Sequence, residues 1–459
     1  MGSFGLILGF TAGLLALVLC AAFVLPPPWS WAVGLVYIAY DTWLLSGMVV
    51  ASRRALLRGL GRSQSSERSL TVAVLVAARN ESSVLPRSID ALLLQSAPPQ
   101  RLLVIDDGST DGTDALLERR YGVRFAGGLG RSAAQPTLQV LRKAHSGKAR
   151  SLNEALALVD EDIVVTLDAD TYVQPGALAA LRREFEAHPE LSAACGVLTP
   201  VCGPGPVARV FELYQRFEFL RGFLWRLAWM DRGTLILLSG AFAAFRRERL
   251  SEVDGFNPDS LVEDYELMFR LHRHASERGV PLQVHVVGEA RATTDSPGAV
   301  RVFLRQRTRW FAGFLETLFR YRDMVGARRF GRLGRFHLRV KTVDMLLPIY
   351  GLAAVVVLFG LIASGRWPGG VVLVAIAAKL IFDLACHFYS MTLYRRWQGQ
   401  RLTLAFSIRA LLATLTEPLA FQLLRQLGAV LGWVAFLRGR IVWHPQREPA
   451  PAKAIQKLE

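Results

Sequence analysis

The chain has 459 residues, of which 52% are hydrophobic and 20% charged, with a formal net charge of +16. Its mean hydropathy of +0.29 is high for a soluble protein, and the apolar residues gather at the two ends, so a wholly soluble globule is excluded in favour of a membrane protein with a soluble middle. A basic excess can serve nucleic acid. Here, however, the arginines flank apolar segments (Arg53, Arg54, Arg58 and Arg62; Arg395 and Arg396; Arg438 and Arg440), as they do in cytoplasmic loops beside anionic headgroups, so membrane lipids rather than nucleic acid are the expected partner.

Residues 4–25 form an almost unbroken apolar run, long enough to span about 30 Å of hydrocarbon as a helix. A secretory signal would need a basic stretch before Phe4, and none is present. Pro26, Pro27 and Pro28 end that helix. Residues 30–51 read as a second span, with Trp29, Trp31, Tyr37, Tyr40 and Trp43 suited to membrane interfaces. Asp41 inside it is costly in lipid and calls for a partner helix or a headgroup. The basic linker 52–69 follows. By the positive-inside rule it is cytoplasmic, which places the N-terminus and the middle domain in the cytosol and makes the chain a multi-pass protein of the cell membrane.

From Leu70 the pattern turns α/β. Leu70–Ala77 is a short apolar strand, 83–95 a helix, Arg101–Ile105 a second buried strand, 111–120 a helix, and Ile163–Leu167 another strand. Strands that deliver acidic residues into the loops after them suggest an open, largely parallel sheet that binds its ligand at that edge. Further on, 320–341 is Arg-rich and amphipathic, suited to the bilayer surface. Residues 343–364 and 370–392 read as spans. Arg409, Glu417-Pro418 and Arg425 interrupt 402–437, which leaves a broken hairpin, an interfacial helix or one tilted span. The division is therefore 1–51, two spans; 52–69, linker; 70–320, soluble α/β domain; 321–342, interfacial region; 343–437, membrane helices; and 438–459, a basic cytosolic tail, expected to be disordered after about 445. Of the four cysteines, Cys20 and Cys386 lie in apolar stretches, and Cys195 and Cys202 form no C-x-x-C pair and have no histidines that complete a zinc pattern, so all read as unpaired thiols of a reducing compartment.

Five motifs carry chemistry. Asp106-Asp107-Gly108-Ser109-Thr110-Asp111 follows a strand and can accept from ring N–H and ribose hydroxyl groups; a capped turn explains it equally. Asp168-Ala169-Asp170 offers two carboxylates to a hard cation shared with phosphates, or is a solvated acidic loop. Lys148, after Gly147, can meet phosphate as a point charge, without the spacing of a P-loop. Glu263 and Asp264 open the amphipathic helix Tyr265–His274, where the helix dipole favours them and where one can act as general base. Gln306-Arg307-Thr308-Arg309-Trp310 combines arginines able to clamp diphosphate with an indole able to stack on a sugar; a membrane-surface helix is the plainer reading.

Taken in this order, with Ala78-Arg79-Asn80-Glu81, Gly147-Lys148-Ala149 and Ser239-Gly240-Ala241-Phe242, these motifs resemble the membrane-embedded inverting GT-A glycosyltransferases of family 2, the branch of cellulose, chitin, hyaluronan and poly-N-acetylglucosamine synthases. The resemblance covers about 70–320. It implies an α/β fold: a cytosolic GT-A domain with a Rossmann-like mixed sheet, flanked by N- and C-terminal transmembrane helices. It further implies that Glu81, Asp106 and Asp107 hold uridine, and that Lys148 and Asp168 lie beside the nucleotide. Asp170 would carry a divalent cation, Mg²⁺ or Mn²⁺, and Asp264 would be the base. Glu263, Gln306, Arg309 and Trp310 would meet diphosphate and acceptor. Arg79, Val262, Asp254 and Phe219 depart from the family's usual Tyr, Thr, Gly and Tyr, and none of these changes removes a carboxylate.

The implied activity moves a sugar from a UDP-sugar donor to a growing polysaccharide, with room for an export partner subunit. One-step transfer to a membrane lipid acceptor is the alternative within enzymes, and a catalytically silent membrane scaffold is the remote one.

Overall fold

The computed structural model describes residues 2–59, 69–397, 401 and 403–439, so half of the basic linker and nearly all of the basic tail lie outside the described residues. The chain forms two compact units. One comprises Pro204–Thr234 and the described parts of Met1–Arg58 and Pro297–His444; the other comprises Leu235–Ser296 and the described part of Gly59–Gly203.

The second unit is built on one ten-stranded sheet. Its strands in chain order are β1 Val72–Ala78, β2 Arg101–Asp107, β3 Val123–Ala126, β4 Leu129–Ser132, β5 Leu138–Lys143, β6 Ile163–Asp168, β7 Thr171–Val173, β8 Leu191–Val201, β9 Phe242–Arg246 and β10 Gln283–Asp295. Across the sheet they lie β3-β4-β5-β2-β1-β6-β9-β8-β10-β7. The centre, β5-β2-β1-β6, is parallel. β9 runs antiparallel to both β6 and β8, and β3-β4-β5 is an antiparallel meander. The sheet is therefore mixed, more so than its three legible strands suggest. Val72 to Val76 are buried without alternation, because a central parallel strand needs cover on both faces. Leu85, Ile89 and Leu92 of the helix Leu85–Leu93, and Leu178, Leu181 and Phe185 of the helix Ala177–Ala187, join that core.

Parallel register puts three strand ends at one edge. Ala78 pairs with Asp106, and Ala77 with Asp168, so the loops after β1, β2 and β6 open side by side. The helix Lys148–Leu156 follows β5, and the helix Glu263–Glu277 starts at the first of its two acidic residues.

The first unit is helical. Among the described residues, four helices are long and apolar enough to cross a membrane: Ser3–Val24, Trp29–Leu57, Leu333–Ala363 and Gly370–Arg395. A bent pair, Leu404–Leu419 and Phe421–Leu437 with 45° between them, would add a fifth. The bend falls at Ala420, just after the turn Glu417–Leu419, within the stretch whose path sequence left open. The interfacial stretch is not one separate helix: the short turns Arg322–Met324 and Arg328–Phe330 lead into Leu333–His337 and Leu338–Asp344, which already begin the membrane-length helix Leu333–Ala363. Glycines and clustered like charge break it. Asp41 faces a partner helix and pairs with Lys379 at 2.7 Å. Two helices that sequence assigned to the soluble middle, Pro206–Met230 and Val300–Arg320, belong to this unit. Val300–Arg320 packs along Phe421–Leu437 at Gly428 and Gly432, where an added Cβ would come within 2.6 Å of the Arg307 Cβ and 2.9 Å of the Phe311 Cβ. The four cysteines are all free thiols.

Candidate active site

Asp106 and Asp107 are the last residues of β2, and both are buried. Asp106 accepts from the Ser109 N–H at 2.9 Å, and burial holds its carboxyl above the usual carboxylate range. Against the burial that would raise it, hydrogen bonds hold Asp107 below that range. It accepts from the N–H groups of Ser146 at 2.8 Å and Gly147 at 2.9 Å, and lies 2.7 Å from the His145 Nδ1. Asp107 thus fixes the loop that launches Lys148. Gly108 is in the left-handed region (φ 73°), and a Cβ there would stand 2.8 Å from the His145 backbone nitrogen, so the close approach requires glycine.

The loops after β1 and β2 are tied together. Asn80 accepts from the Thr110 N–H at 2.7 Å and donates its own N–H to Ser109 Oγ at 2.9 Å, while Asp111 accepts from the Ser82 N–H at 3.0 Å. Glu81 lies in this joined loop, half-buried. Arg79, which departs from the family pattern, brings its Nη1 to 2.9 Å from the His145 Nε2.

Lys148 binds the next three motifs into one cluster. Its Nζ lies 2.6 Å from Asp168 Oδ1 and 3.1 Å from Glu263 Oε1. Desolvation alone would lower the pKa of this ammonium, but Asp168 and Glu263 drive it well above its ordinary value, so the lysine is a fixed positive charge. Asp264 is half-buried; its Oδ2 accepts from the Gly240 N–H at 2.7 Å and its Oδ1 from the Tyr265 N–H at 2.9 Å. Burial first, then the Glu263 charge, lift its carboxyl to about 6, against Lys148 and the two N–H donors. Asp170 opens the turn into β7, and its Oδ1 is 3.5 Å from the Thr294 hydroxyl. The structure therefore brings Lys148, Asp168, Glu263 and Asp264 into direct or shared contact, and places Asp106, Asp107, Glu81 and Asp170 in the loops of the same strand edge.

Two further residues shape this cluster: Gly240, which sequence offered only as part of a motif, and Asn153, which it did not single out. Gly240 leaves room for Asp264: a Cβ there would sit 2.9 Å from Asp264 Oδ2. Asn153 clamps the Asp254-Gly255-Phe256 turn through Phe256, accepting from its N–H and donating to its carbonyl, both at 2.7 Å. Asp254 and Gly255 both have positive φ, which is why Asp in place of the usual Gly is tolerated at the first of them. A glycine in the Ser239-Gly240 motif was visible in sequence; its closeness to Asp264 was not.

Gln306, Arg309 and Trp310 lie on Val300–Arg320, in the helical unit. Gln306 is buried, and its Oε1 accepts from no donor among the described residues. Arg307 donates to Glu218 at 2.7 Å and stacks 4.5 Å over the Trp310 ring. Arg425 reaches the same Glu218 at 3.6 Å, and Arg221 grips Glu417 through both guanidinium nitrogens, one bond measuring 2.8 Å.

A mixed sheet with acidic loops at one strand edge, in a chain that also carries membrane-length helices, defines the class of membrane-associated GT-A glycosyltransferase folds. The chain belongs to the family described as Glycosyltransferase like family 2, whose model matches residues 68–313. It is similar to the poly-beta-1,6-N-acetyl-D-glucosamine synthase of Staphylococcus epidermidis, 25% identical over 258 residues, covering 54% of this chain and 56% of that one. It is similar also to the beta-monoglucosyldiacylglycerol synthase of a Synechocystis species, 28% identical over 319 residues, covering 64% and 60%. The matches thus span little more than half the length of these curated relatives. Among solved structures, a mannosyltransferase from Pyrobaculum calidifontis, in complex with GDP-Man and Mn²⁺, shares the fold with a TM-score of 0.55, 20% identity, and coverage of 85% of this chain and 99% of that one.

Proposed function

We propose that the protein transfers a sugar from a UDP-sugar to an acceptor hydroxyl with inversion at the anomeric carbon, Asp264 acting as general base. The observation that carries this reading is the Asp264 carboxylate: half-buried, held by two backbone N–H groups, and raised to about 6, a value suited to accepting a proton near neutrality. Asp264 takes the proton of the acceptor hydroxyl as that oxygen attacks the sugar carbon, and the nucleoside diphosphate leaves from the opposite face. Asp106, Asp107 and Glu81 hold the nucleoside, and Lys148, braced by Asp168 and Glu263, places a fixed positive charge beside the phosphates. Gln306, Arg309 and Trp310 are assigned to the diphosphate and the acceptor. The Asp168-Ala169-Asp170 loop offers hard carboxylate oxygens, a donor set that fits Mg²⁺ or Mn²⁺, with Asp170 as the ligand. Bound there, the ion would supply Lewis-acid stabilisation of the leaving diphosphate.

The relative that makes poly-N-acetylglucosamine supports a processive synthase; the glucosyldiacylglycerol synthase supports a second reading, one sugar placed on a membrane lipid. In either case the mixed-sheet unit works in the cytosol at the cell membrane, with lipids as the setting and an export partner compatible with the first reading. UDP release by detergent-solubilised protein over a panel of UDP-sugars, with Mg²⁺, Mn²⁺ or EDTA and with products sized, tests this. Metal-dependent turnover of one donor is expected. Long products select the synthase and singly glycosylated lipid selects the alternative. No turnover with any donor, lipids and primers supplied, overturns the enzyme reading in favour of a silent scaffold.

A further inference from the structure

We propose that Glu184, His188 and His285 form a divalent transition-metal site of zinc type, separate from the carboxylate loops. Glu184 and His188 sit four residues apart at the end of the helix Ala177–Ala187, so they project from one helical face; His285 comes from the first turns of β10. One ligand atom from each lies within 4.8 Å of the other two. Glu184 Oε1 is 2.6 Å from His285 Nδ1 and 3.6 Å from His188 Nε2, and the two rings meet edge to face with centroids 4.9 Å apart. Ligands about 2.1 Å from a tetrahedral ion stand about 3.4 Å apart, so the histidine at 3.6 Å needs almost no movement and the 2.6 Å hydrogen bond opens slightly.

A second observation points to a ligand. Glu184 is only 2% exposed, and its Oε2 has no hydrogen-bond partner among the described residues. A buried carboxylate oxygen without a donor costs stability, and a cation would satisfy it. The histidine side chains are 34% and 20% exposed, which leaves a way in for the ion and a position for water as fourth ligand. Two imidazoles and one carboxylate suit zinc and its neighbours better than Mg²⁺, which prefers oxygen alone.

The site is not the one assigned to Asp170. Thr294, whose hydroxyl faces Asp170, pairs with Pro200 on β8, whereas His285 pairs with Ala194. Six residues of extended strand separate the two levels, roughly 20 Å at 3.3 Å per residue. A bound ion would tie the helix end to β10 and stabilise the sheet unit by binding only its folded form.

The test uses full-length, tag-free protein in detergent, stripped with chelator and titrated with Zn²⁺ or Co²⁺ in millimolar Mg²⁺. Wild-type protein is expected to retain about one zinc per chain after desalting, to show Co²⁺ visible absorption, and to melt at a higher temperature with zinc. Asp170→Asn should bind as wild type does. His188→Ala, which leaves the buried Glu184–His285 pair intact, should weaken binding at least tenfold while eluting as folded protein. No zinc retained by the wild type, or equal retention by His188→Ala, overturns the proposal. Loss of zinc in Asp170→Asn alone would also overturn it, because the ion would then belong to the carboxylate loop.

Discussion

If Asp264 is the base, the pH profile of kcat/KM should have an acid limb near 6. At pH 5 a carboxyl of pKa about 6 is about one-tenth ionised, and at pH 7.5 it is almost fully so; the rate should fall roughly tenfold between them. A carboxyl at the ordinary 3.8 would lose less than about a tenth of its activity over the same interval. The causes of the shift give two opposed controls. Glu263 raises the Asp264 pKa, so Glu263→Gln should move the limb down; Lys148 lowers it, so Lys148→Met should move the limb up. Only the position of the limb is read, because both variants also lose turnover. The assay is initial-rate UDP release from pH 5 to 8 at constant ionic strength, with donor well below KM. A profile flat from pH 5 to 7.5, or a limb unmoved in both variants, would refute the assignment.

The same shift bears on stability. The folded pKa lies above the unfolded 3.8, so this group's contribution to stability is fully present below about 3.8 and is lost as pH rises through 6, up to about 3 kcal/mol in all. Asp264→Asn should therefore lose roughly 10²–10⁴ in kcat and yet melt no lower than wild type at pH 7.5, although Asn can accept only one of the two N–H bonds; a lower melting temperature at pH 7.5 would contradict the sign. Gly240→Ala presses a methyl onto the Asp264 carboxylate and should cost roughly ten- to a hundredfold in kcat with little change in melting temperature, and unchanged kcat would show that the base tolerates displacement. Asn153→Ala removes both hydrogen bonds to Phe256 and should destabilise the sheet unit by about 1–3 kcal/mol, read as a lower melting temperature, with a wild-type midpoint counting against the clamp.

β1, β2 and β6 of the parallel centre were legible because they are nearly pure apolar runs buried on both faces, two of them ending in acid; β5, which alternates in burial and ends in Arg142 and Lys143, was not. β3 and β4 were not legible because Val123–Ala126 and Leu129–Ser132 are only four residues each, with Arg124, Arg131 and Ser132 interrupting their few apolar side chains. β10 escaped because a register shift between Val286 and Arg291 breaks its alternation. The acidic site residues were legible as types and positions, but not as a network. Lys148 meets Asp168 and Glu263 across long stretches of chain, and nothing local to any of the three announces it. Glu184 and His188 announce themselves as a helical pair; His285, on a strand paired with β8, does not.

Two arginines in one short box invite the same role, and packing separates them. Arg307 is committed: its guanidinium donates to Glu218, lies between the rings of Phe303 and Trp310 at 4.7 and 4.5 Å, and is only 13% exposed. Such a buried pair is costly to form and costlier to break, because removing one partner strands the other charge. A side chain held this way orients Trp310 and neutralises Glu218, and swinging its guanidinium towards a diphosphate would give up both contacts. The diphosphate contact proposed above is kept on Arg309. The spacing in the box fits this packing: Arg307 lies four residues after Phe303 and three before Trp310, so it shares their side of the helix and reaches Glu218 on the helix Pro206–Met230, while Arg309, two residues on, is turned by roughly 200° to another side.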